Sequence, residues 1–180
     1  MSGILLHICC APCLIYPLRR LREKGFALQG IFYNPNICPG EEYEKRRQAL
    51  QGFVAASRGA DNPGLVVDYQ PYRPADFLSA VDLVKRQKEK RCVICWRLRL
   101  KMTARKARER GISYFSTTLL VSPYQDHAVL AQVGREVSRE EGVDFYYEDF
   151  RLGFRAAQSE ARQKNIYRQK YCGCIYSYKK

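Results

Sequence analysis

The sequence of 180 residues lacks any long hydrophobic run, and no apolar stretch approaches the roughly 18 residues that a membrane-spanning helix needs. Its first apolar stretch is short and follows no positively charged segment, so we expect neither a secretory signal nor a membrane span. Internal repeats, linkers and low-complexity segments are also absent. We therefore predict a single domain, residues 1–180, that is cytoplasmic and folds without disulfide bonds.

Negative charge is scarce in this sequence. The 18 Asp and Glu residues face 31 Lys and Arg residues, which gives a formal net charge of +13. Such an excess favours a polyanionic partner, although basic runs often only solvate helices. The cations form clusters, several of which flank cysteines: 19–24, 45–47, 85–91, 97–110 and 162–170.

A glycine-rich phosphate loop is missing after the first predicted strand, which weakens any ATP-dependent interpretation. Cysteines take its place there, and the sequence has eight of them. Seven lie in three clusters: Cys9, Cys10 and Cys13; Cys92 and Cys95; Cys172 and Cys174. Cytosolic thiols grouped at such spacings are more typical of metal binding or redox chemistry than of structural disulfides, whereas the lone Cys38 is predicted to have no role.

Apolar runs alternate with helical patterns along the whole chain. The predicted strands are 3–8, 26–33, 65–67, 112–120 and 143–147, and 68–72 is predicted to be a loop. The predicted helices are 12–24, 41–59, 74–88, 91–110, 124–141 and 155–167. This alternation predicts an α/β fold with a mainly parallel sheet of about five strands and flanking helices.

Parallel sheets bind ligands at the carboxyl ends of their strands. The predicted strand ends deliver Cys9 and Cys10 to this edge, together with the segments 34–42, 68–72 and 122–126 and with Asp149. Cys92 and Cys95 begin a crossover helix at the same edge and are expected to face Cys9 and Cys10. The tail that carries Cys172 and Cys174 should emerge at the opposite edge, so it must fold back or the last helix must be shorter than predicted.

The thiols allow more than one chemistry. Cys9, Cys10, Cys92 and Cys95 together offer four thiolates, which suit structural zinc or an iron–sulfur cluster, and spacing does not separate these from inert or redox thiols. Cys13 could instead be a buried apolar residue. Cys172 and Cys174 are close enough for a strained, reducible disulfide or could ligate metal.

Other polar and aromatic candidates are ambiguous from sequence. His7 is more typical of a core histidine, and His127 of a surface residue. Trp96 could stack on a nucleobase or lie in the core. Asp126 and Asp149 could bind metal or donate protons, or could cap helices or pair with arginines.

Seven sequence blocks resemble the signature of the QueH-type epoxyqueuosine reductases. They run in this order along the chain: 5–13 (LLHICCAPC), 33–37 (YNPNI), 42–43 (EY), 91–99 (RCVICWRLR), 117–125 (TTLLVSPYQ), 149–151 (DFR) and 167–174 (YRQKYCGC). The single departure noted is Trp96, where we expect tyrosine. The resemblance implies a Rossmann-like fold related to the adenine nucleotide alpha hydrolases.

The resemblance also implies an activity. It is the last step of queuosine synthesis, in which the epoxide oxygen of epoxyqueuosine at the wobble position of tRNA is removed by an iron–sulfur enzyme that uses no cobalamin. The implied partners are the anticodon loop of tRNA and an electron donor. We expect Cys9, Cys10, Cys92 and Cys95 to hold a [4Fe–4S] cluster, with a second, mononuclear iron or zinc left open.

Further roles follow as expectations from the same comparison and from the thiol chemistry. Cys172 and Cys174 are predicted to be a redox pair, with Asp126 or Tyr124 as the proton donor. The predicted substrate-binding residues are Asn34, Asn36, Tyr43, Arg97 and Arg151. Two other functions stay open: a zinc-stabilised RNA-binding module without catalysis, and an ATP-dependent tRNA sulfurtransferase-like enzyme, whose phosphate loop is replaced here by residues 9–13.

Overall fold

A computed structural model describes residues 2–57 and 64–178. Within them, one sheet has the strand order β3-β2-β1-β4-β5, and every neighbouring pair is parallel. The strands are β1 (Gly3–His7), β2 (Ala27–Phe32), β3 (Val66–Tyr69), β4 (Tyr114–Thr117) and β5 (Asp144–Phe145). The predicted α/β fold with a parallel sheet is confirmed.

Helices cover the sheet. They are α1 (Ala11–Glu23), α2 (Gly40–Ala56), α3 (Pro74–Val81), α4 (Lys88–Glu109), α5 (His127–Glu141) and α6 (Phe154–Gln163). Helix α1 packs against α2 and α6, whereas α4 packs against α3, α5 and the strands β1 and β4. Because strand β1 lies in the middle of the sheet, its side chains from Ile4 to His7 are completely buried, as is usual for a central parallel strand.

The strand order reverses between β1 and β4. The chain first winds from β1 to β2 and β3, then crosses back to β4 and β5 on the other side of β1. In open parallel sheets this reversal opens a crevice at the carboxyl ends of the two central strands, where ligands bind. Here the crevice lies between the residues that follow His7 and those that follow Thr117.

Three predicted boundaries of strands and loops were wrong. Strand β3 continues to Tyr69, so the loop that was predicted to begin at residue 68 begins two residues later, at Gln70. Strand β4 ends at Thr117 because the Thr117 hydroxyl accepts a hydrogen bond from the Leu119 amide at 3.1 Å. This bond starts a 3₁₀ turn, Thr118–Val121. Strand β5 pairs with β4 only at Asp144–Phe145.

Helix boundaries differ for similar local reasons. Helix α3 ends at Val81 and α4 begins at Lys88, with a 3₁₀ turn between them. Helix α5 begins after Asp126, whose carboxylate accepts a hydrogen bond from the Val129 amide at 3.1 Å. The predicted end of α2 at Gly59 lies outside the described residues. None of the helices in the described ranges is long and apolar enough to cross a membrane.

The C-terminal tail returns to the carboxyl edge of the sheet. Helix α6 ends at Gln163, four residues earlier than predicted. The tail then runs back to the loop after β2, where Cys174 forms an antiparallel bridge with Ile37 and the Cys38 amide donates to the Gly173 carbonyl at 2.8 Å. Both alternatives that the sequence left open are therefore realised: the helix is shorter, and the tail folds back.

Candidate active site

Three cysteines meet at the crevice between β1 and β4. The sulfur atoms of Cys9, Cys10 and Cys13, which we call the β1 thiols, lie within 4.8 Å of one another, and all three side chains are buried. The Cys9 amide donates to the Thr118 hydroxyl at 3.1 Å, and that hydroxyl lies 3.3 Å from the Cys9 sulfur, to which it donates. Residues from the ends of both central strands thus build this group.

Local sequence explains why these thiols converge. Only Ile8, Cys9 and Cys10 separate strand β1 from helix α1, and Cys10 takes the extended conformation of a helix N-cap. Pro12 suits the first turn of the helix because its missing amide hydrogen would have no partner there. Cys13 lies one turn after Cys10, so the two side chains share a face, and the positive end of the helix dipole favours thiolate at this position.

The β1 thiols share negative charge. Hydrogen bonds from Cys10 and Cys13 lower the pKa of Cys9, assisted by Thr118. Burial raises the pKa of Cys10, and hydrogen bonding to Cys10 and Cys9 raises that of Cys13. One sulfur is therefore disposed to be a thiolate with two thiols pointing at it, and a bound cation can replace those two protons.

The β1 thiols fit a soft metal centre. Thiolate ligands select zinc, copper(I) or iron–sulfur clusters over hard cations such as magnesium. Across residues 2–57 and 64–178, this is the only group of three or more cysteine, histidine or carboxylate side chains with its ligand atoms within 4.8 Å. Cys13 is thus part of the candidate metal site and not simply an apolar core residue.

A second group of four cysteines lies where helix α4 begins and where the tail meets the loop after β2. Cys92 and Cys95 of helix α4 and Cys172 and Cys174 of the tail, which we call the α4–tail thiols, interact electrostatically. The pKa of Cys95 is raised to about 12, mainly by burial, which Arg99 partly opposes and the charges of Cys174 and Cys172 reinforce. Burial also raises the pKa of Cys92 and Cys174. In contrast to the β1 thiols, this group ranges from the buried Cys95 to the exposed Cys172.

Two side chains connect the groups. The Gln169 amide of the tail donates to the Cys10 sulfur at 3.0 Å and reaches the Cys13 sulfur at 4.0 Å. Arg99 is 5% exposed and donates to the Cys95 carbonyl at 3.1 Å. Its charge adds to burial in lowering the pKa of His7 and partly opposes the burial that raises the pKa of Cys95. The sequence placed Cys92 and Cys95 opposite Cys9 and Cys10; the structure brings all seven clustered thiols to one edge in two groups.

Arg46 holds the tail at this edge. Its side chain is 2% exposed and donates to Glu42 at 2.7 Å, to the Tyr171 carbonyl at 2.9 Å and to the Cys172 carbonyl at 3.2 Å. The Tyr167 hydroxyl donates to the other carboxylate oxygen of Glu42 at 2.5 Å. From the sequence, Arg46 is recognisable only as one cation of a basic run, because the tail carbonyls that it binds lie some 125 residues away.

Gly173 separates the two tail cysteines for a steric reason. Its φ is +105°, which side chains rarely adopt, and a Cβ there would lie 2.9 Å from a side-chain carbon of Ile37. Glycine therefore lets the tail turn sharply against the loop after β2, with Cys172 and Cys174 on either side of the turn.

Asn34 and Asn36 contribute unpaired polar atoms to the site. Both residues are 2% exposed, and the Asn34 amide nitrogen donates to the Ile8 carbonyl at 2.9 Å. Their side-chain oxygens and that of Gln169 are buried without a hydrogen-bond partner among the described residues. Such atoms are costly to leave unpaired, so they indicate that this edge binds a polar ligand.

Other predicted substrate residues already have partners within the protein. Tyr43 is buried, donates to the Gln70 carbonyl at 3.1 Å and stacks on Tyr72 with a centroid distance of 4.2 Å. Arg97 forms ion pairs with Glu136 and Glu140 of helix α5. The third, Arg151, binds the Asp149 carboxylate through two nitrogens and holds the pKa of Asp149 at about 2.

The two predicted proton donors differ in exposure and contacts. Asp126 caps helix α5, whereas Tyr124 is 84% exposed and packs edge-on against Phe154. Tyr124 lines a cavity of about 380 Å³ together with Arg151, Leu152 and Arg155 among others. A surface tyrosine in a basic cavity is available to a ligand, while the Asp126 carboxylate is partly occupied by the Val129 amide.

His7 and Trp96 belong to the core. Burial, assisted by Arg99, lowers the pKa of His7 to about 4, so the ring is neutral near pH 7. Its two nitrogens lie 2.9 Å from the Thr117 hydroxyl and 3.1 Å from the Tyr33 carbonyl. Trp96 is 5% exposed and donates to the Gln125 side chain at 2.9 Å, which leaves its ring no open face for a nucleobase.

Known proteins provide an independent comparison. The chain is 36% identical to epoxyqueuosine reductase QueH of Thermotoga maritima, over 98% of this chain and 91% of that one. It is 34% identical to the Dehalococcoides mccartyi protein of that name, over 97% and 91%, and 34% identical to that of Streptococcus pyogenes, over 98% and 71%.

A solved structure shares the fold. A predicted subunit of a tRNA methyltransferase from Methanocaldococcus jannaschii superposes with a TM-score of 0.53 at 9% identity, covering 90% of this chain and 75% of that one. The model of the family described as epoxyqueuosine reductase QueH matches residues 4–180. The chain therefore belongs to the epoxyqueuosine reductase QueH family and is an oxidoreductase.

Proposed function

We propose that the protein reduces epoxyqueuosine to queuosine at the wobble position of tRNA, with an iron–sulfur centre and without cobalamin. The observation that carries the proposal is the buried set of β1 thiols at the crevice, with a second group of thiols at the same edge of the sheet. The names of the relatives support the reaction.

The electron balance of the reaction indicates a role for the tail cysteines, Cys172 and Cys174. Removing the epoxide oxygen to leave an alkene and water consumes two electrons and two protons. Cys172 and Cys174 release two electrons and two protons when they close to a disulfide, so one dithiol matches one turnover. An external reductant, the expected electron donor, then returns the disulfide to two thiols. The turn at Gly173 favours this pair because glycine allows the sharp backbone turn that so small a disulfide ring requires.

The metal centre is assigned to thiols on chemical grounds. We keep Cys9, Cys10, Cys92 and Cys95, one thiolate for each iron, as the predicted ligands of a [4Fe–4S] cluster. Cys13, whose sulfur lies with those of Cys9 and Cys10, is the spare thiol for a second, mononuclear metal. Zinc or a mononuclear iron fits the spacing of the β1 thiols equally well. When bound, the centre supplies single electrons and a Lewis acid for the epoxide oxygen.

The protein's own polar groups bind the base and deliver a proton. The unpaired oxygens of Asn34, Asn36 and Gln169 are acceptors for the amide and amino groups of the modified base. Tyr124 is the favoured proton donor because its ring is exposed in the basic cavity, with Asp126 as the alternative. The tRNA substrate implies a cytoplasmic enzyme.

A turnover assay on tRNA that contains epoxyqueuosine tests the proposal. With a strong reductant and no added nucleotide, anaerobically purified protein should convert the modified base to queuosine. A zinc-stabilised RNA-binding module would bind this tRNA without converting it, and a sulfurtransferase-like enzyme would need ATP and would add sulfur. Either result would contradict the proposal.

A further inference from the structure

The cations of helix α4 fall into two sets with opposite surroundings. In the C-terminal half, Lys101 and Arg105 are paired with Glu140 and Glu141 of helix α5, and Lys106 is paired with Glu109. These charges are largely neutralised by carboxylates. The long basic run 97–110 was one of the clusters predicted to bind a polyanion. Its cations instead mainly form ion pairs between helices α4 and α5.

The cations at the start of α4 are different. Arg86, Lys88 and Lys90 are exposed, and within the described ranges no carboxylate lies within 4.0 Å of their charged groups. They lie at the carboxyl edge of the sheet, where α4 begins. Lys88 lies four residues before Cys92 on the same helix, so the two side chains share one face of α4. This unneutralised charge is thus next to the α4–tail thiols.

The tail continues the same surface. Arg168 and Lys170 are exposed and flank Gln169, which contacts Cys10; neither cation has a carboxylate within ion-pair distance in the described part of the chain. The guanidinium of Arg91 lies 4.5 Å from the ring centre of Tyr176 and so joins the tail to the first turn of α4.

Exposed aromatic rings complete the pattern. Tyr176 is 41% exposed and Tyr178 is 49% exposed. Unpaired cations beside exposed aromatic rings are typical of proteins that bind single-stranded nucleic acid, because phosphates contact the cations while unstacked bases contact the rings. We define the α4–tail surface by these residues: Arg86, Lys88, Lys90, Arg168, Lys170, Tyr176 and Tyr178.

We propose that the α4–tail surface docks a single-stranded RNA loop, the anticodon loop of the tRNA substrate, and that the equally basic second half of α4 does not contact RNA. This inference rests on the proposed function and deepens it by assigning the partner to one surface. Since residues of this surface lie next to Cys92, Cys172 and Cys174 along the chain, a loop bound there presents an unstacked base to these thiols.

Two variants of one helix test the inference. The triple variant Arg86→Gln, Lys88→Gln, Lys90→Gln and the control variant Lys101→Gln, Arg105→Gln, Lys106→Gln each remove three positive charges from α4 or the residues just before it. Binding of an unmodified tRNA transcript is measured from about 50 to 200 mM salt. Each lost phosphate contact lowers the slope of log affinity against log salt by about 0.7 to 0.9, so the first variant should lose about 2 in slope.

The affinity for tRNA should fall in the same variant that loses salt dependence. The first variant should bind tRNA about tenfold or more weakly at the lowest salt, while the control variant stays within about twofold of the wild type. A separate Tyr176→Ala variant keeps all charges and should weaken binding about fivefold or more at every salt concentration, since stacking on a ring contributes little to the salt slope.

Equal loss in the two triple variants would overturn the inference, because net charge alone would then drive binding. Unchanged binding in the first variant would also overturn it. Both results would leave the proposed reaction in place, since conversion of epoxyqueuosine is measured separately. A wild-type protein that does not bind tRNA would overturn the inference and the proposed function together.

Discussion

The two thiol groups of this protein are built in opposite ways. The β1 thiols come from five consecutive residues at one strand–helix junction, are all buried, and share their protons with one another. The α4–tail thiols come from a helix and a tail about 80 residues apart, and their exposure ranges from buried to exposed. A short rigid junction can hold a metal centre, whereas a tail attached by a few side chains can approach solvent and exchange electrons.

One edge of the sheet thus combines a rigid group of thiols with a group that a reductant can regenerate. The β1 thiols all come from one strand–helix junction, so their spacing is set mainly by β1 and α1, with Thr118 and Gln169 as contacts from distant segments. The arrangement of the α4–tail thiols depends on long-range contacts through Arg46, Gln169 and Gly173. Substitutions in the two sets should therefore separate metal binding from tail attachment.

The largest effect is expected for Cys10→Ser. Cys10 is 1% exposed and its sulfur lies 3.8 Å from that of Cys9, so a hydroxyl in place of its sulfur removes a soft ligand. Iron and sulfide in anaerobically purified protein should fall to background, and conversion of epoxyqueuosine should stop. The matched control is Cys38→Ser, at the lone cysteine, which should keep its metal. Full metal content in the Cys10→Ser variant would contradict the assignment of the metal centre to the β1 thiols.

The next effect is expected for Arg46→Gln. The substitution leaves Glu42, which is 7% exposed, without its cation, and the free energy of unfolding should fall by about 3 to 5 kcal/mol. The control Arg47→Gln breaks the more exposed pair with Glu44 on the same helix and should cost at most about 1 kcal/mol. Urea unfolding measures both values.

The same Arg46 variant should also change thiol reactivity. Without hydrogen bonds to the carbonyls of Tyr171 and Cys172, the tail detaches more often. Alkylation of Cys172 and Cys174 under native conditions, followed by mass spectrometry, should become faster, while alkylation of Cys9 stays slow. Equal acceleration at both groups would show that Arg46 stabilises the whole edge and not the tail in particular.

A smaller effect is expected for Gln169→Leu. Its amide is the tail's direct contact with the β1 thiols, and loss of such a hydrogen bond to a metal ligand weakens metal affinity by about ten- to a hundredfold. Competition with a chelator measures the change. The control Gln132→Leu alters an exposed residue of α5 and should leave chelation unchanged. If the Gln169→Leu variant loses its metal to the chelator no faster than the wild type, the tail does not stabilise metal binding by the β1 thiols.

The smallest effect is expected for Gly173→Ala. A Cβ at φ +105° meets Ile37, so the bridge between the tail and the loop after β2 should weaken by about 1 to 3 kcal/mol. Hydrogen exchange at the Cys38 amide, which donates to the Gly173 carbonyl, reports this contact directly. Gly52→Ala, on α2 where a Cβ has open space, is the control and should not accelerate that exchange.

Local patterns predicted the sheet and the position of Cys9 and Cys10, because an apolar run that passes into a helix fixes where its last residues lie. The assignment of Cys13 to the metal site needed the structure, since a helix position alone does not tell which face meets a neighbour. The contacts of Arg46 with the tail and the ion pairs of Lys101 and Arg105 with α5 join distant segments, and no local periodicity encodes them.

The central claim is that the β1 thiols, together with Cys92 and Cys95, hold the metal centre while Cys172 and Cys174 supply the electron pair. A single turnover with substrate tRNA, without oxygen or added reductant, tests it most directly, with the redox state of each cysteine read by differential alkylation and mass spectrometry. The account predicts one Cys172–Cys174 disulfide for each queuosine formed, and a Cys172→Ser, Cys174→Ser variant that keeps its iron and its tRNA binding but forms no product. Queuosine formed with both tail thiols still reduced, or loss of iron from the double variant, would contradict it.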